Sequence, residues 1–269
     1  MSAFALPVAP DYEGALLLAR NVTMRFGGVT AVCDMTVAVP EGSVVGIIGP
    51  NGAGKTTMFN VLSGFYRPQE GEVRFAGRSI LGSPPDRVCA LGMARTFQNI
   101  RLSSAMTVLE NIMVGCHVRR HCPWWMAPLG LPAFHREEAA IERKARELAE
   151  RVSLAEHCDE KAGSLPYGAQ RRLEIARALA TEPKMLLLDE PAAGMNPQES
   201  LDLMHFIDHI RDEFNLTILL IEHDMKVVMG VCRYIWVMEY GALIAEGEPD
   251  SIRKDPKVIR AYLGDEAVA

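Results

Sequence analysis

VVGIIGPNGAGKTTMFNVLSGF, residues 44–65, leaves this chain few architectures. VVGIIG is a continuous apolar run, which a strand buried on both faces of a parallel sheet requires. It ends in GPNGAGKT (residues 49–56), which fits G-x-x-x-x-G-K-[ST], and TTMFNVLSGF then has the pattern of a helix. Strand, glycine loop and helix in that order make a phosphate cradle. The glycines let backbone amides turn inward around phosphate oxygens. Lys55 brings positive charge to the β and γ phosphates, the Thr56 hydroxyl is a ligand for Mg²⁺, and the helix start adds a favourable field.

The rest of the sequence predicts an α/β fold built around that strand. ALLLARNVTMRF and TAVCDMTVAV predict two strands joined at Gly27 and Gly28, and GEVRFAGRSI a further strand and turn. Over residues 99–161 the strand signal fades. Thr107 and Glu110 there form a T-x-x-E capping box. REEAAIERKARELAERV carries Ile141, Ala145, Leu148 and Val152 on one stripe of an amphipathic helix. Strand signals return at KMLLLDE and LTILLIE, separated by a helix with Leu203, Ile207, Ile210 and Phe214 at helical spacing. RYIWVMEYGALIAEG predicts a strand pair about Gly241, and two short helical pieces follow, around Ile252 and over residues 258–263. Strands alternating with helices imply a mainly parallel sheet. The expected layout is a tail at residues 1–14, expected disordered, and a core with an antiparallel β subdomain over residues 15–98 and 162–240. A helical subdomain at residues 99–161 is inserted in it, and residues 241–269 form a terminal hairpin and short helices.

A net charge of −6 argues against a nucleic-acid partner, which needs a basic face. The N-terminal stretch lacks the basic lead and apolar core of an export signal, and no apolar run approaches the roughly 20 residues of a membrane helix. Cys33, Cys89, Cys116, Cys122, Cys158 and Cys232 follow no framework spacing and are expected to be reduced thiols, several of them buried. Cys116, His117, His121 and Cys122 are a candidate metal cluster, with a variable surface segment as the plainer reading.

Three more strand ends carry chemistry. MLLLDEP places Asp189 and Glu190 at the end of a buried strand, where open α/β sheets bind ligands. Asp189 suits the Mg²⁺ shell, and Glu190 suits the acceptance of a proton from an attacking water. Without the glycine loop, the pair would read as satisfying helix ends. LLIEHDM brings His223 to the same edge; alone it reads as structural, with the others as a contact to the γ-phosphate. Gln98, in ARTFQNI, is expected to end a fourth strand and to offer its amide oxygen to Mg²⁺ or water.

SLPYGAQRRLEIARALA (residues 164–180) is a sharp bend followed at once by a helix, so open N–H groups point out of the helix start. A γ-phosphate bound at residues 49–56 already has its own loop. The simplest resolution is that this second helix start faces ATP held by another chain. Together these residues resemble the ATP-binding-cassette ATPases. GPNGAGKTT resembles the family's Walker A, Gln98 its Q-loop, MLLLDE its Walker B, residues 193–196 its D-loop and His223 its switch histidine. Leu165, Pro166, Tyr167, Gly168 and Ala169 occupy its signature position, usually LSGGQ. Phe26 matches the aromatic that stacks on adenine, or else is a core aromatic. The resemblance covers nearly the whole chain. It implies ATP binding through Asn51, Gly52, Ala53, Gly54, Lys55, Thr56 and Thr57, Mg²⁺ held with Thr56, Gln98 and Asp189, and catalysis by Glu190, His223 and Gln98.

RTFQNIRL, MTVLENIMVG, YGAQRRLEIARALA, DEPAAGMNP, LLIEHDMKVVMG and VIRAYLG are similar to the ATP-binding subunits of high-affinity branched-chain amino-acid importers. That implies a head-to-tail pair with a second ABC ATPase subunit, of the same or a distinct chain, with ATP sandwiched between the loop of one and the signature helix of the other. It also implies transmembrane permease subunits, a periplasmic solute-binding protein reached indirectly, and a peripheral place on the cytoplasmic face of the inner membrane. A groove near residues 99–115 is expected to receive a permease coupling helix, and Trp124 and Trp125 in PWWMAPLGLP to serve a contact or a satellite core. The importer of urea or a short amide and the lipopolysaccharide exporter are the nearer alternatives. A P-loop kinase or GTPase would not need LPYGAQRR or His223. Cassette ATPases of DNA repair or translation usually carry two cassettes or long coiled-coil insertions. The chain departs from the common signature at Pro166, where serine is usual, and at Ala169, where glutamine is usual. Proline has neither hydroxyl nor N–H, so a γ-phosphate donor is missing there.

Overall fold

A computed structural model describes residues 14–120, 122–123, 126, 128 and 131–263. In chain order the first stretch holds β1 (Ala15–Phe26), β2 (Val29–Pro40), β3 (Val44–Ile48), α1 (Lys55–Leu62), β4 (Glu70–Phe75) and β5 (Arg78–Ser79). The middle holds α2 (Pro85–Ala90), β6 (Met93–Arg95), α3 (Val108–Cys116), α4 (Pro132–Arg151), α5 (Tyr167–Leu179), β7 (Met185–Asp189) and α6 (Pro197–Phe214). The last holds β8 (Thr217–Ile221), α7 (Met225–Val231), β9 (Tyr234–Glu239), β10 (Ala242–Gly247), α8 (Pro249–Lys254) and α9 (Pro256–Leu263). Residues 1–85 and 215–269 form one compact unit, residues 86–214 another.

In the first unit, β1 and β2 make the hairpin expected from ALLLARNVTMRF and TAVCDMTVAV, turning at Gly27 and Gly28. With β4 and β5 they form an antiparallel sheet in the order β2-β1-β4-β5. The apolar run VVGII is β3, buried at every position and parallel to β8 on one side and β9 on the other. Burial on both faces between two neighbours leaves no room for the polar alternation of a half-exposed strand. β9 and β10 pair antiparallel about Gly241, as expected.

In the second unit, β6 and β7 pair in parallel, with Met93, Ala94 and Arg95 opposite Met185, Leu186 and Leu187. The Thr107 hydroxyl accepts the Glu110 N–H and the Glu110 carboxylate accepts the Thr107 N–H, so the expected capping box starts α3. Ile141, Ala145 and Leu148 are the buried stripe of α4, and Val152 is buried at its C-cap. Leu203, Ile207 and Ile210 are buried along α6. Gly115 lets α3 approach α5 closely, because a Cβ there would overlap the Arg177 carbonyl.

Two expectations differ in detail. β6 stops at Arg95 rather than running to Gln98. The Thr96 N–H still donates to the Leu187 carbonyl at 2.9 Å. Phe97 then sits against the Arg95 and Arg101 guanidiniums, at 5.2 and 4.3 Å from its ring centre, which draws the chain out of the ladder. α1 ends at Leu62, since Gly64 takes a φ of +80° that a helix cannot continue. Residues 1–13 of the expected tail, His121 of the candidate metal cluster, Trp124 and Trp125 lie outside the described residues. Among the described residues, no group of three or more His, Cys, Asp or Glu side chains is arranged to hold a metal ion.

Candidate functional site

The first unit builds the glycine loop. The chain leaves β3 at Gly49, where φ is +149° and a Cβ would overlap the Met238 carbonyl. At Gly54, φ is +99° and a Cβ would overlap the Ala31 carbonyl. Both positions demand glycine, and both are pressed from behind by neighbouring strands. Gly52 instead faces open space. Gly54 is the N-cap of α1 and no side chain caps that helix start, so its first-turn N–H groups keep their capacity for a ligand. The Lys55 ammonium is buried and donates to the Gly49 and Pro50 carbonyls at 2.7 and 2.9 Å, folded into the loop it would serve. Asn51 and Thr56 are exposed, Gly54 and Thr57 half-buried, Ala53 buried. These features fit a nucleotide phosphate chain: a helix start without a side-chain cap, one cation and one exposed hydroxyl.

Phe26 ends β1 and is 43% exposed, its ring edge-to-face with Tyr66 at 5.2 Å. Tyr66 escaped the sequence reading; the signal was GFYRP, two aromatics directly after a helix end with no apolar periodicity to employ them. His223 follows β8 and its side chain is half exposed. The wholly buried Glu222 carboxylate accepts the His223 and Asp224 N–H groups, and Asp224 caps α7 by accepting the Lys226 N–H. These three local bonds fix the loop carrying the imidazole. On α9, the Tyr262 phenol is buried beside the Gly49 backbone. Burial pushes its pKa up, against a smaller downward pull from the Gly49 amide.

The second unit builds the carboxylates. β7 is buried throughout and delivers Asp189 and Glu190 in sequence. Arg95 Nη2 lies 2.7 Å from Asp189 Oδ2, both side chains almost wholly buried. Gln98 Nε2 donates to Glu190 Oε2 at 2.8 Å. Its NH₂ group being committed to Glu190, the Gln98 amide oxygen is the acceptor left for a cation, and Arg95 leaves Asp189 its Oδ1. Oxygen donors of this kind suit Mg²⁺. Glu190 has a φ of +46°, uncommon for a residue with a side chain, and opens a tight turn in which the Ala193 N–H donates to the Glu190 carbonyl at 3.2 Å. The turn ends at Asn196, which caps α6 by accepting the Gln198 and Glu199 N–H groups. Arg95 was not foreseen. Its signal was a basic residue near one strand end opposite an acidic one, legible only once β6 and β7 are known to pair.

The signature residues start α5. Leu165 is buried, Pro166 is the N-cap and offers no side-chain cap, and Tyr167 is 41% exposed. Gly168 and Ala169 are half-buried. Open N–H groups at this helix start match the sequence expectation. The Tyr167 hydroxyl donates to the Ala193 carbonyl at 2.8 Å. Arg171, wholly buried, pairs with Glu174 and donates to the Phe97 and Gln98 carbonyls.

Comparison with known proteins identifies the family. A family model described as ABC transporter matches residues 32–193, and one described as branched-chain amino acid ATP-binding cassette transporter matches residues 242–268. The branched-chain amino acid transport ATP-binding protein BraF of Pseudomonas aeruginosa is 48% identical over 250 residues, 93% of this chain and 98% of the relative. LivG of Escherichia coli K12, of the same description, is 45% identical over the same shares. A crystal structure of the ADP conformation of an ATP-binding cassette of an ABC transporter superposes with a TM-score of 0.81 at 34% identity, covering 93% of this chain and 99% of that one.

Proposed function

This chain belongs to the ABC transporter family, and from that membership we propose that it is the ATP-hydrolysing subunit of an importer of branched-chain amino acids. The chemistry is hydrolysis of ATP to ADP and phosphate. ATP is held by the loop amides of residues 51–57 with Lys55 on its phosphates and Phe26 against its adenine, Tyr66 steadying the Phe26 ring edge-on. Each unit offers oxygen donors that suit Mg²⁺, Thr56 in the first and Gln98 and Asp189 in the second, and the ion when bound would neutralise phosphate charge. His223 contacts the γ-phosphate. The uncapped start of α5, with Gly168, closes over ATP held by a second ATPase subunit, excluding water and fixing geometry. No helix among the described residues is long and apolar enough to cross a membrane. In this reading transmembrane permease subunits carry the solute, a periplasmic binding protein presents it, and the chain is peripheral on the cytoplasmic face of the inner membrane.

The observation that carries the reading is the division of labour at the end of β7. Arg95 pairs with Asp189, and the Gln98 amide donates to Glu190, holding in place the carboxylate that would accept a proton from the attacking water. Glu190→Gln is expected to cut ATP turnover by about 10²–10⁴-fold, the usual contribution of a general base. It should also accumulate a closed, ATP-loaded pair by size-exclusion chromatography. Wild-type turnover in that variant would overturn the assignment.

A further inference from the structure

Around Glu190 the hydrogen bonds close into a ring. The Gln98 side chain donates to the Glu190 carboxylate at 2.8 Å. The Gln98 carbonyl accepts from Arg171 Nη2 at 2.9 Å, and the same nitrogen donates to the Tyr167 hydroxyl at 3.3 Å. Tyr167 donates to the Ala193 carbonyl at 2.8 Å, and the Ala193 N–H returns to the Glu190 carbonyl at 3.2 Å. Five residues from three separate parts of the second unit thus share one circuit: the loop after β6, the first turn of α5 and the turn after β7. Glu174 buttresses it, accepting from Arg171 Nη1 at 2.8 Å and from the Arg101 N–H at 3.2 Å.

The two arms of the ring differ in build. The Arg171 arm is buried, with a guanidinium that has no exposed surface and hydrogen bonds to two carbonyls and a carboxylate. Its removal would strand buried charge and threaten the fold. The Tyr167 arm is a single hydroxyl on a 41% exposed ring, so it adds little to packing. A lone hydroxyl joining two turns, one of them opened by a residue at positive φ, makes their positions depend on one another. In hydrogen-bond networks of this kind, neighbours polarise and position each other beyond their separate strengths.

We infer that Tyr167 is a positioning residue that couples the two nucleotide sites of the assembled pair. It ties the helix start that closes over the partner's ATP to the turn that aims this chain's own Glu190. The inference rests on the proposed sandwich, in which α5 serves one nucleotide and Glu190 the other. Closure of α5 over the partner's ATP pulls on the Ala193 carbonyl and, through the Ala193 N–H, sets the backbone of Glu190. One site is thereby informed of the other's occupancy without any contact between the nucleotides.

The test is Tyr167→Phe in the complete transporter, with its second ATPase and permease subunits, read by the ATP dependence of hydrolysis. The wild type is expected to show a Hill coefficient approaching the number of sites, about 2. Loss of the hydroxyl should bring it toward about 1 and weaken coupling by roughly 3- to 10-fold, the reach of one hydrogen bond. The thermal midpoint, by circular dichroism, should hold within a few degrees, which a merely structural role would not predict alongside lost cooperativity. Binding of a non-hydrolysable ATP analogue should lose its sigmoidal shape in parallel, independent of chemistry. A cooperative wild type with an equally cooperative Tyr167→Phe overturns the coupling and leaves the sandwich standing. A wild type without cooperativity overturns both.

Discussion

At the end of β7 two acids stand side by side, and their neighbours separate them. Asp189 Oδ2 meets a guanidinium at 2.7 Å, and Glu190 Oε2 accepts from the Gln98 amide at 2.8 Å. The sequence motif gave both residues and their order. It could not give Arg95, since a pairing between positions 95 and 189 leaves no local pattern; only strand pairing brings them together. Buried ion pairs owe their strength to both members, and removing one strands the other in a medium that solvates it poorly. Arg95→Met is therefore expected to destabilise the chain by about 3–5 kcal/mol. Urea titration should show a lower midpoint with an unchanged slope. Tyr66, Tyr167 and Arg171 acquired partners that only the fold supplies.

Elements followed the sequence most faithfully where one physical cause dominates. β3, β7 and β8 are short strands buried at every position, each carrying at least four apolar residues in its five, and the α4 stripe lies where the 3.6 period put it. The α3 capping box was legible because both partners are four positions apart or closer. Boundaries were less legible. β6 ends early because Phe97 prefers two guanidiniums to the ladder, a choice invisible to alternation. The close passage of α3 over α5 depends on the missing side chain of Gly115, whose Cβ would strike the Arg177 carbonyl. Gly115→Ala gains helix propensity but forces the two helices apart, and overpacking of this kind costs about 1–3 kcal/mol. Thermal denaturation should show a net loss. A gain, as expected of an unconstrained glycine in a helix, would mean that the helices adjust freely.

For the molecule as a whole, Pro166 is the feature that bears on the pair. It is the N-cap of α5 yet supplies no capping hydroxyl, so the helix start offers its backbone donors alone. In the sandwich reading, Pro166→Ser adds one donor toward the partner's γ-phosphate. A hydrogen bond to a charged group contributes about 1.5–3 kcal/mol, enough to raise turnover at that site about 10-fold or more. Steady-state hydrolysis by the assembled pair measures it, and an unchanged rate would show that the signature position is not limiting. The order of strands has a different consequence, for the making of the protein. β3 pairs with β8 and β9, so Val45 meets Leu219 and Tyr234 across a gap that spans the whole second unit. At about 5–20 residues per second of synthesis, the strand leading into the nucleotide loop spends roughly 10–30 s without either permanent neighbour. Throughout that interval an apolar, unpaired ribbon is offered to every other nascent chain nearby.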